Sequence, residues 1–256
     1  MRALTVAALK GGSGKTITAH ALAACFAERG RRVLLVDLDA QATLSGWLDL
    51  DESGPGVVDV MRGEVALIDA AQSTPIERVE AIPPGAALAA ADRDLWSEPG
   101  AEGALRAAVR AAPGRRWDVL VLDTPPGLHL PTLAAIVAAP EVVAVLAPDA
   151  AGVQGLVELR ETVDRLRERI EPRAHLRHLL PCNVPRTRLA RDVVDALRQR
   201  FDRELLDPIR QSARVPEALA HGVDLLDHDP DGRATADYRA AAAAILKRSP
   251  RRKANR

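Results

Sequence analysis

Short runs of consecutive apolar residues alternate along this chain with longer segments whose apolar positions recur every three or four residues. The first run, Ala3-Leu4-Thr5-Val6-Ala7-Ala8-Leu9, leads through a glycine-rich loop into Ile17 to Arg29, a segment of helical period that stops at Gly30, a favourable C-cap residue. Arg32-Val33-Leu34-Leu35-Val36-Asp37 follows as an almost continuous aliphatic run ending in an acid, the pattern of a strand buried on both faces. Strand, loop, helix, strand is a βαβ unit. Residues 51–100 are less regular: Gly54-Pro55-Gly56 and Pro83-Pro84-Gly85 bracket a helical piece at Val57–Arg62 and a short strand at Val79–Ile82. Ala101–Ala112 reads as a helix stopped by Pro113-Gly114, and Trp117–Asp123 as another aliphatic strand ending in an acid. The alternation continues with helices at Leu130–Ala139, Val153–Ile170, Leu189–Phe201 and Thr235–Lys247, and strands at Glu141–Ala147, His178–Cys182 and Leu205–Ile209. Repeated βα units without an internal repeat predict an α/β fold: a doubly wound, mostly parallel sheet with helices on both faces.

The loop after the first strand is Lys10-Gly11-Gly12-Ser13-Gly14-Lys15-Thr16, a phosphate-binding pattern with its first glycine shifted. A strand that turns sharply into a helix aims backbone N–H groups and the positive end of the helix dipole at one small volume, which suits a phosphate chain. Gly11, Gly12 and Gly14 permit the torsions and close approach this needs. Lys15 would reach the β- and γ-phosphates, the Thr16 hydroxyl would ligate Mg²⁺, and Ser13 and Ile17 complete the nucleotide-binding stretch. The plain alternative is a glycine turn with two solvated lysines, which the flanking strand and helix disfavour.

Two acidic strand ends point to the same rim. Asp37-Leu38-Asp39-Ala40-Gln41 leaves the second strand with two acids that can both face the phosphate site, and Asp123-Thr124-Pro125-Pro126-Gly127 leaves the later one. An acid in that second position accepts hydrogen bonds from Mg²⁺-bound waters, so Asp123 is a metal-shell carboxylate. Turn capping is the simpler role for each acid taken alone.

Lys-Gly-Gly-x-Gly-Lys-Thr, with its additional Lys10, resembles the deviant Walker A loop of the ParA/MinD ATPases. That resemblance implies a homodimer with ATP sandwiched between subunits and Lys10 crossing to the partner's nucleotide, although Lys10 taken alone reads equally as a surface lysine. It makes Lys10, Lys15 and Asp39 the catalytic set, with Asp39 positioning the attacking water. Asp37 joins Thr16 and Asp123 around Mg²⁺, and Asn183 lies in the loop where adenine docks. The family usually has proline at the position of Ala40, a mild departure. Val145-Leu146-Ala147-Pro148, Gln154-Gly155-Leu156, Pro185-Arg186-Thr187, Ile209-Arg210, Glu217-Ala218 and Asp229-Pro230 fall where ParA-type proteins carry similar stretches, so the likeness spans nearly the whole chain. The ParA branch implies nonspecific DNA as partner, contacted through Arg186 and Arg214 with Arg188, Arg191 and Arg210 nearby. It also implies a ParB-like or other adaptor that stimulates an otherwise slow hydrolysis. A chain starting at the ATPase core is expected to lack the amino-terminal helix-turn-helix domain of larger plasmid relatives.

Composition then bounds these readings. With 256 residues and 47% hydrophobic content the chain can bury one substantial core, so residues 1–248 are expected to form a single ATPase domain and 249–256 a basic flexible tail. Six aromatics make an aliphatic core and leave little for stacking nucleic-acid bases. Cys25 and Cys182, outside any CxxC or histidine cluster, read as reduced cytosolic cysteines, and no apolar segment is long enough for a signal or a span. A cytoplasmic, nucleoid-associated protein with no membrane contact is the expectation. The zero net charge conceals asymmetry: residues 37–100 hold thirteen acids against three arginines, residues 160–214 fourteen arginines against nine acids, and residues 247–256 six cations. Solvated, salt-bridged helix faces explain the basic half as readily as a polyanion does. A MinD-like membrane protein is the first alternative, but Ile245-Leu246 followed by Ser249-Pro250 lacks the bulky apolar anchors it needs. An ATP-dependent amide or carboxylate-activating synthetase on the same scaffold is the second.

Overall fold

Strands made of consecutive aliphatic residues need cover on both faces, and the computed structural model, which describes residues 1–85, 100–112 and 116–248, shows that cover. β1 (Arg2–Ala7) leads through the glycine loop into α1 (Lys15–Glu28), followed by β2 (Val33–Asp37). Next come α2 (Thr43–Trp47), α3 (Val57–Arg62), β3 (Gln72–Ser73) and β4 (Val79–Ile82). A tight 3₁₀ turn at Ala101–Gly103 precedes α4 (Ala104–Ala111), β5 (Val119–Asp123), α5 (Leu130–Ala138) and β6 (Glu141–Leu146). The chain continues with α6 (Ala150–Arg169), β7 (His175–Pro181), α7 (Arg188–Phe201), α8 (Arg214–Ala220), α9 (Leu225–His228) and α10 (Arg233–Lys247).

The sheet runs in the order β3-β4-β2-β5-β1-β6-β7, all pairs parallel except β3 with β4. Side chains alternate between its faces. Val33, Leu35, Val119 and Val121 join one core with α1, α9 and α10, while Leu34, Val36, Leu120 and Leu122 join another with α3, α4 and α5. A third cluster sets Val142, Ala144 and Leu146 against α5, α6 and α7. Each fully buried Leu or Val contributes about 1.5–3 kcal/mol, so this two-sided burial dominates the stability of the sheet. α1 is buried from Ile17 to Ala27, because its alanines let it approach both the sheet and α10. The strand register sets Asp123 level with Asp37 on one side and with Val6 on the other, which brings the two acidic strand ends together beside β1.

The expected α/β architecture is the observed one, with local corrections. Leu205–Ile209 is not a strand: only isolated bridges join Leu179 to Leu205 and Val184 to Arg210, because Pro208 has no N–H to extend a ladder. α6 begins at Ala150 rather than Val153, since Asp149 caps it by accepting from the Gly152 amide at 2.7 Å, a start hidden from apolar periodicity by the small residues. The Pro113-Gly114 stop and the basic tail lie outside the described residues.

The carboxyl end of α10 is fastened at the amino-terminal edge of the sheet, opposite the glycine loop. Arg248 donates to the carbonyls of Glu204 (3.1 Å) and Leu205 (3.0 Å), and its own carbonyl accepts from Arg2 (2.8 Å). Arg2 in turn grips the buried carboxylate of Glu141 (3.0 Å), which also lies 2.7 Å from His178 Nε2.

Candidate functional site

The glycine loop takes its shape from two left-handed residues, Gly12 (φ 73°) and Gly14 (φ 89°), a region costly for a residue with a Cβ. Gly14 stands directly before α1, and its carbonyl accepts the Thr18 amide at 3.0 Å, so the amides of the first turn ahead of Thr18 are left to face the loop. Lys15 is buried to 7% exposure, and the buried hydroxyl of Ser13 has no hydrogen-bond partner.

Asp37 and Asp123 stand side by side at the ends of β2 and β5, and the Leu38 amide donates to the Asp123 carbonyl at 2.9 Å. Asp37 is buried but satisfied: it accepts from the Asp39 amide (3.0 Å), the Ser45 amide (3.1 Å) and the Ser45 hydroxyl (2.9 Å). Burial nonetheless pushes its pKa up to about 6. Asp123 is fully buried with neither carboxylate oxygen in a hydrogen bond of good geometry, and burial pushes it up to about 7 against the opposing pull of the Lys15 charge and the nearby Thr16 hydroxyl. An orphaned buried carboxylate beside a threonine hydroxyl is the donor set that a hydrated Mg²⁺ would satisfy. Among the described residues no cluster of three or more His, Cys, Asp or Glu side chains could hold a metal directly, so the oxygen partners would have to include water and phosphate. Asp39 is half-buried, and its Oδ1 accepts from the Gln41 amide at 3.0 Å. The segment after Asp123 is laced to β1 by Thr124 Oγ1 donating to the Val6 carbonyl (2.9 Å) and the Gly127 amide to that of Ala8 (3.2 Å).

A cavity of about 790 Å³ opens beside the loop, lined by Gly12, Gly14, Lys15, Thr16, Ile17 and Asn183 together with α2, α8 and the chain from Ile209 to Ala213. Asn183 sits in the left-handed region (φ 53°), which asparagine tolerates better than most residues. Lys10 is not part of this lining. Its Nζ pairs with Asp149 Oδ2 at 3.3 Å at the start of α6, with Gly11 exposed next to it.

The arginines divide into two groups. Arg186 is exposed and without a partner among the described residues, and Arg188 and Arg191 stand with it at the start of α7; Arg188 lies 3.9 Å from Asp192 and Arg191 donates to the Thr187 carbonyl at 3.4 Å. Arg210 is held by Asp237 at 2.8 and 2.6 Å, and Arg214 by Glu217 at 2.7 Å, both beside the cavity. Sequence reasoning missed Ser45, Trp47 and Asp149; of these only Asp149 left a signal, an Asp three residues before a glycine at a helix start.

A family model described as an AAA domain matches residues 1–176. The chromosome partitioning protein ParA of Caulobacter vibrioides is 30% identical over 259 residues, covering 99% of this chain and 97% of that one. The chain belongs to the ParA/MinD family of deviant Walker A ATPases. Membership makes it a P-loop ATPase of the partitioning and positioning group. A cobyrinic acid a,c-diamide synthase from Mycobacterium smegmatis, solved with bound ADP and magnesium, superposes with a TM-score of 0.83 at 30% identity, covering 96% of this chain and 94% of that one. An ATP complex of Cyanothece McdA superposes with a TM-score of 0.87 over 99% of both chains at 22% identity, which speaks for the fold alone. No described helix of this ParA/MinD family member is long and apolar enough to cross a membrane.

Proposed function

We propose that the protein binds ATP and Mg²⁺, forms a homodimer across its nucleotides, and in that state holds duplex DNA without sequence preference. A ParB-like or other adaptor then stimulates hydrolysis and release, so that DNA or another cargo is positioned on the nucleoid. The observation that carries this reading is the convergence of the glycine loop, Lys15, Asp37 and the unsatisfied Asp123 on one rim, with Lys10 outside the cavity and turned to solvent. Synthase structures at 30% identity, solved with ADP or an ATP analogue and magnesium, and the ParA likeness support the same ligand set.

In this account the loop amides and Lys15 bind the β- and γ-phosphates, and Thr16, Asp37 and Asp123 hold the metal. Mg²⁺ supplies charge neutralisation on the phosphates when bound. Asp39 orients the attacking water, and Lys10 of each subunit reaches the other's phosphates, where a fixed cation stabilises developing charge. Arg186, Arg188 and Arg191 form the exposed basic face, which Arg210 and Arg214 join only by exchanging their carboxylate partners for DNA phosphates. Residues 1–248 work as a single ATPase domain, with 249–256 a basic extension.

The similarity to the M. smegmatis synthase favours a second reading, ATP-driven amidation. It predicts turnover that depends on an amide donor and an acceptor acid instead of on DNA and an adaptor. Light scattering on wild type and Lys10→Ala with ATP, ADP or no nucleotide tests the main reading. A dimer formed by ATP alone and lost in the variant is expected; a monomer in every state overturns it.

A further inference from the structure

The lining of the 790 Å³ cavity is of two kinds. Gly12, Gly14, Lys15 and Thr16 offer amides, an ammonium and a hydroxyl, whereas Trp47, Val215 and Leu219 offer apolar surface. On the reading that a triphosphate takes the polar part, we infer that Trp47 is the wall against which the base of the nucleotide packs, and that His20 is its positioning residue.

Trp47 is one of only six aromatic residues in the chain. Tyr238 also lines the cavity, but it is 2% exposed and turned to Thr18, its hydroxyl 3.3 Å from Thr18 Oγ1, so it forms floor and not wall. Trp47 is half-buried and lines the cavity. A planar base is the part of a nucleotide that such a surface can cover, because stacking on an indole removes two apolar faces from water at little entropic cost.

Trp47 does not hang free. Its ring meets His20 edge to face, centroids 6.2 Å apart and planes at 88°. His20 lies on α1, is 3% exposed, and has an Nδ1 without a hydrogen bond, with Asp224 Oδ1 3.7 Å away. Burial lowers its pKa to about 4, so it stays neutral and its contact with the indole is one of shape. The wall is coupled to Asp37 as well: Ser45, two residues before Trp47 on the same short helix, makes two of the three bonds that hold that carboxylate. Filling the base position therefore steadies the helix that fixes Asp37.

Stacking of this kind is indifferent to the identity of the base, since every base has a π face. Calorimetric titrations of ATP, GTP and inorganic tripolyphosphate into wild type, Trp47→Leu, Trp47→Phe and His20→Asn test the inference. Trp47→Leu is expected to weaken ATP and GTP by the same factor, about tenfold, with tripolyphosphate binding unchanged. Trp47→Phe restores most of the loss, and His20→Asn gives a smaller loss with the same insensitivity of tripolyphosphate. Unchanged ATP affinity in Trp47→Leu, or a parallel loss of tripolyphosphate, overturns the role of Trp47 while leaving nucleotide binding intact. A wild-type protein that binds neither ATP nor tripolyphosphate overturns the nucleotide reading itself.

Discussion

Lys10 and Asp149 are joined by an ion pair of 3.3 Å that ties the glycine loop to the start of α6, with side chains 54% and 43% exposed. The same carboxylate caps that helix through the Gly152 amide. An exposed pair of this kind is worth about 0–1 kcal/mol, so Lys10 is held in place yet easily released. If Lys10 must leave Asp149 to reach a second subunit, removing the charge and keeping the cap favours the dimer. Asp149→Asn is expected to leave stability within about 0.5 kcal/mol of wild type and to lower the protein concentration needed for ATP-driven dimerisation about threefold, read by light scattering. An unchanged dimerisation curve contradicts the role given to the pair.

Asp37 and Asp123 give the metal-free protein a definite pH dependence. Both hold their protons more tightly folded than unfolded, at about 6 and about 7 against a usual 3.8, so their contribution to stability is greatest in acid and is lost as pH rises between those limits. Asp123→Asn is expected to raise the metal-free melting temperature by about 5 °C above neutrality and to abolish any further rise on adding Mg²⁺ with ATP. Calorimetry at acid and alkaline pH checks both halves; a lower melting temperature in the variant at alkaline pH would falsify the assignment of burial as the cause.

The seat of α6 leaves no room for a side chain. A Cβ at Gly152 would lie 2.1 Å from the Ala147 carbonyl oxygen, and one at Gly155 3.0 Å from Leu9 Cβ. Gly152→Ala is expected to destabilise the fold by about 2 kcal/mol or more in urea denaturation, and Gly155→Ala by less, because its overlap with Leu9 Cβ is much the smaller of the two.

Arg186 and Arg210 separate DNA contact from structure. Arg186 has no intramolecular partner among the described residues, so Arg186→Ala is expected to weaken DNA binding, with a shallower salt dependence and an unaltered melting temperature. Arg210→Ala removes a bidentate grip on Asp237 at the foot of α10 and lowers the melting temperature by about 2 °C as well. Equal melting losses in the two variants would refute the division. Filter binding and calorimetry on the same preparations decide it.

Asp37 and Asp123 were legible because an acid that ends an aliphatic run is placed on the rim of a parallel sheet by strand geometry alone. Lys10 was singled out by the spacing of its motif. Asp149 left only the signal of a helix cap: its bond to Lys10 spans 139 residues and only the tertiary fold brings the two together. The same holds for Trp47, which reads as an isolated aromatic until α2 folds back over α1. The short helices α8 and α9 were missed because their few apolar positions are too short a stretch to establish a period. Leu205–Ile209 misled because its composition suits a strand while Pro208 denies it the ladder.

The most direct test of the whole account is the binding of nonspecific duplex DNA with ATP, with ADP and without nucleotide, at low and high salt, for wild type and for Arg186→Ala/Arg214→Ala. The account predicts binding with ATP only, weakened by salt and lost in the double variant. DNA binding that ignores the nucleotide, or no binding while ATP still forms a dimer, contradicts it.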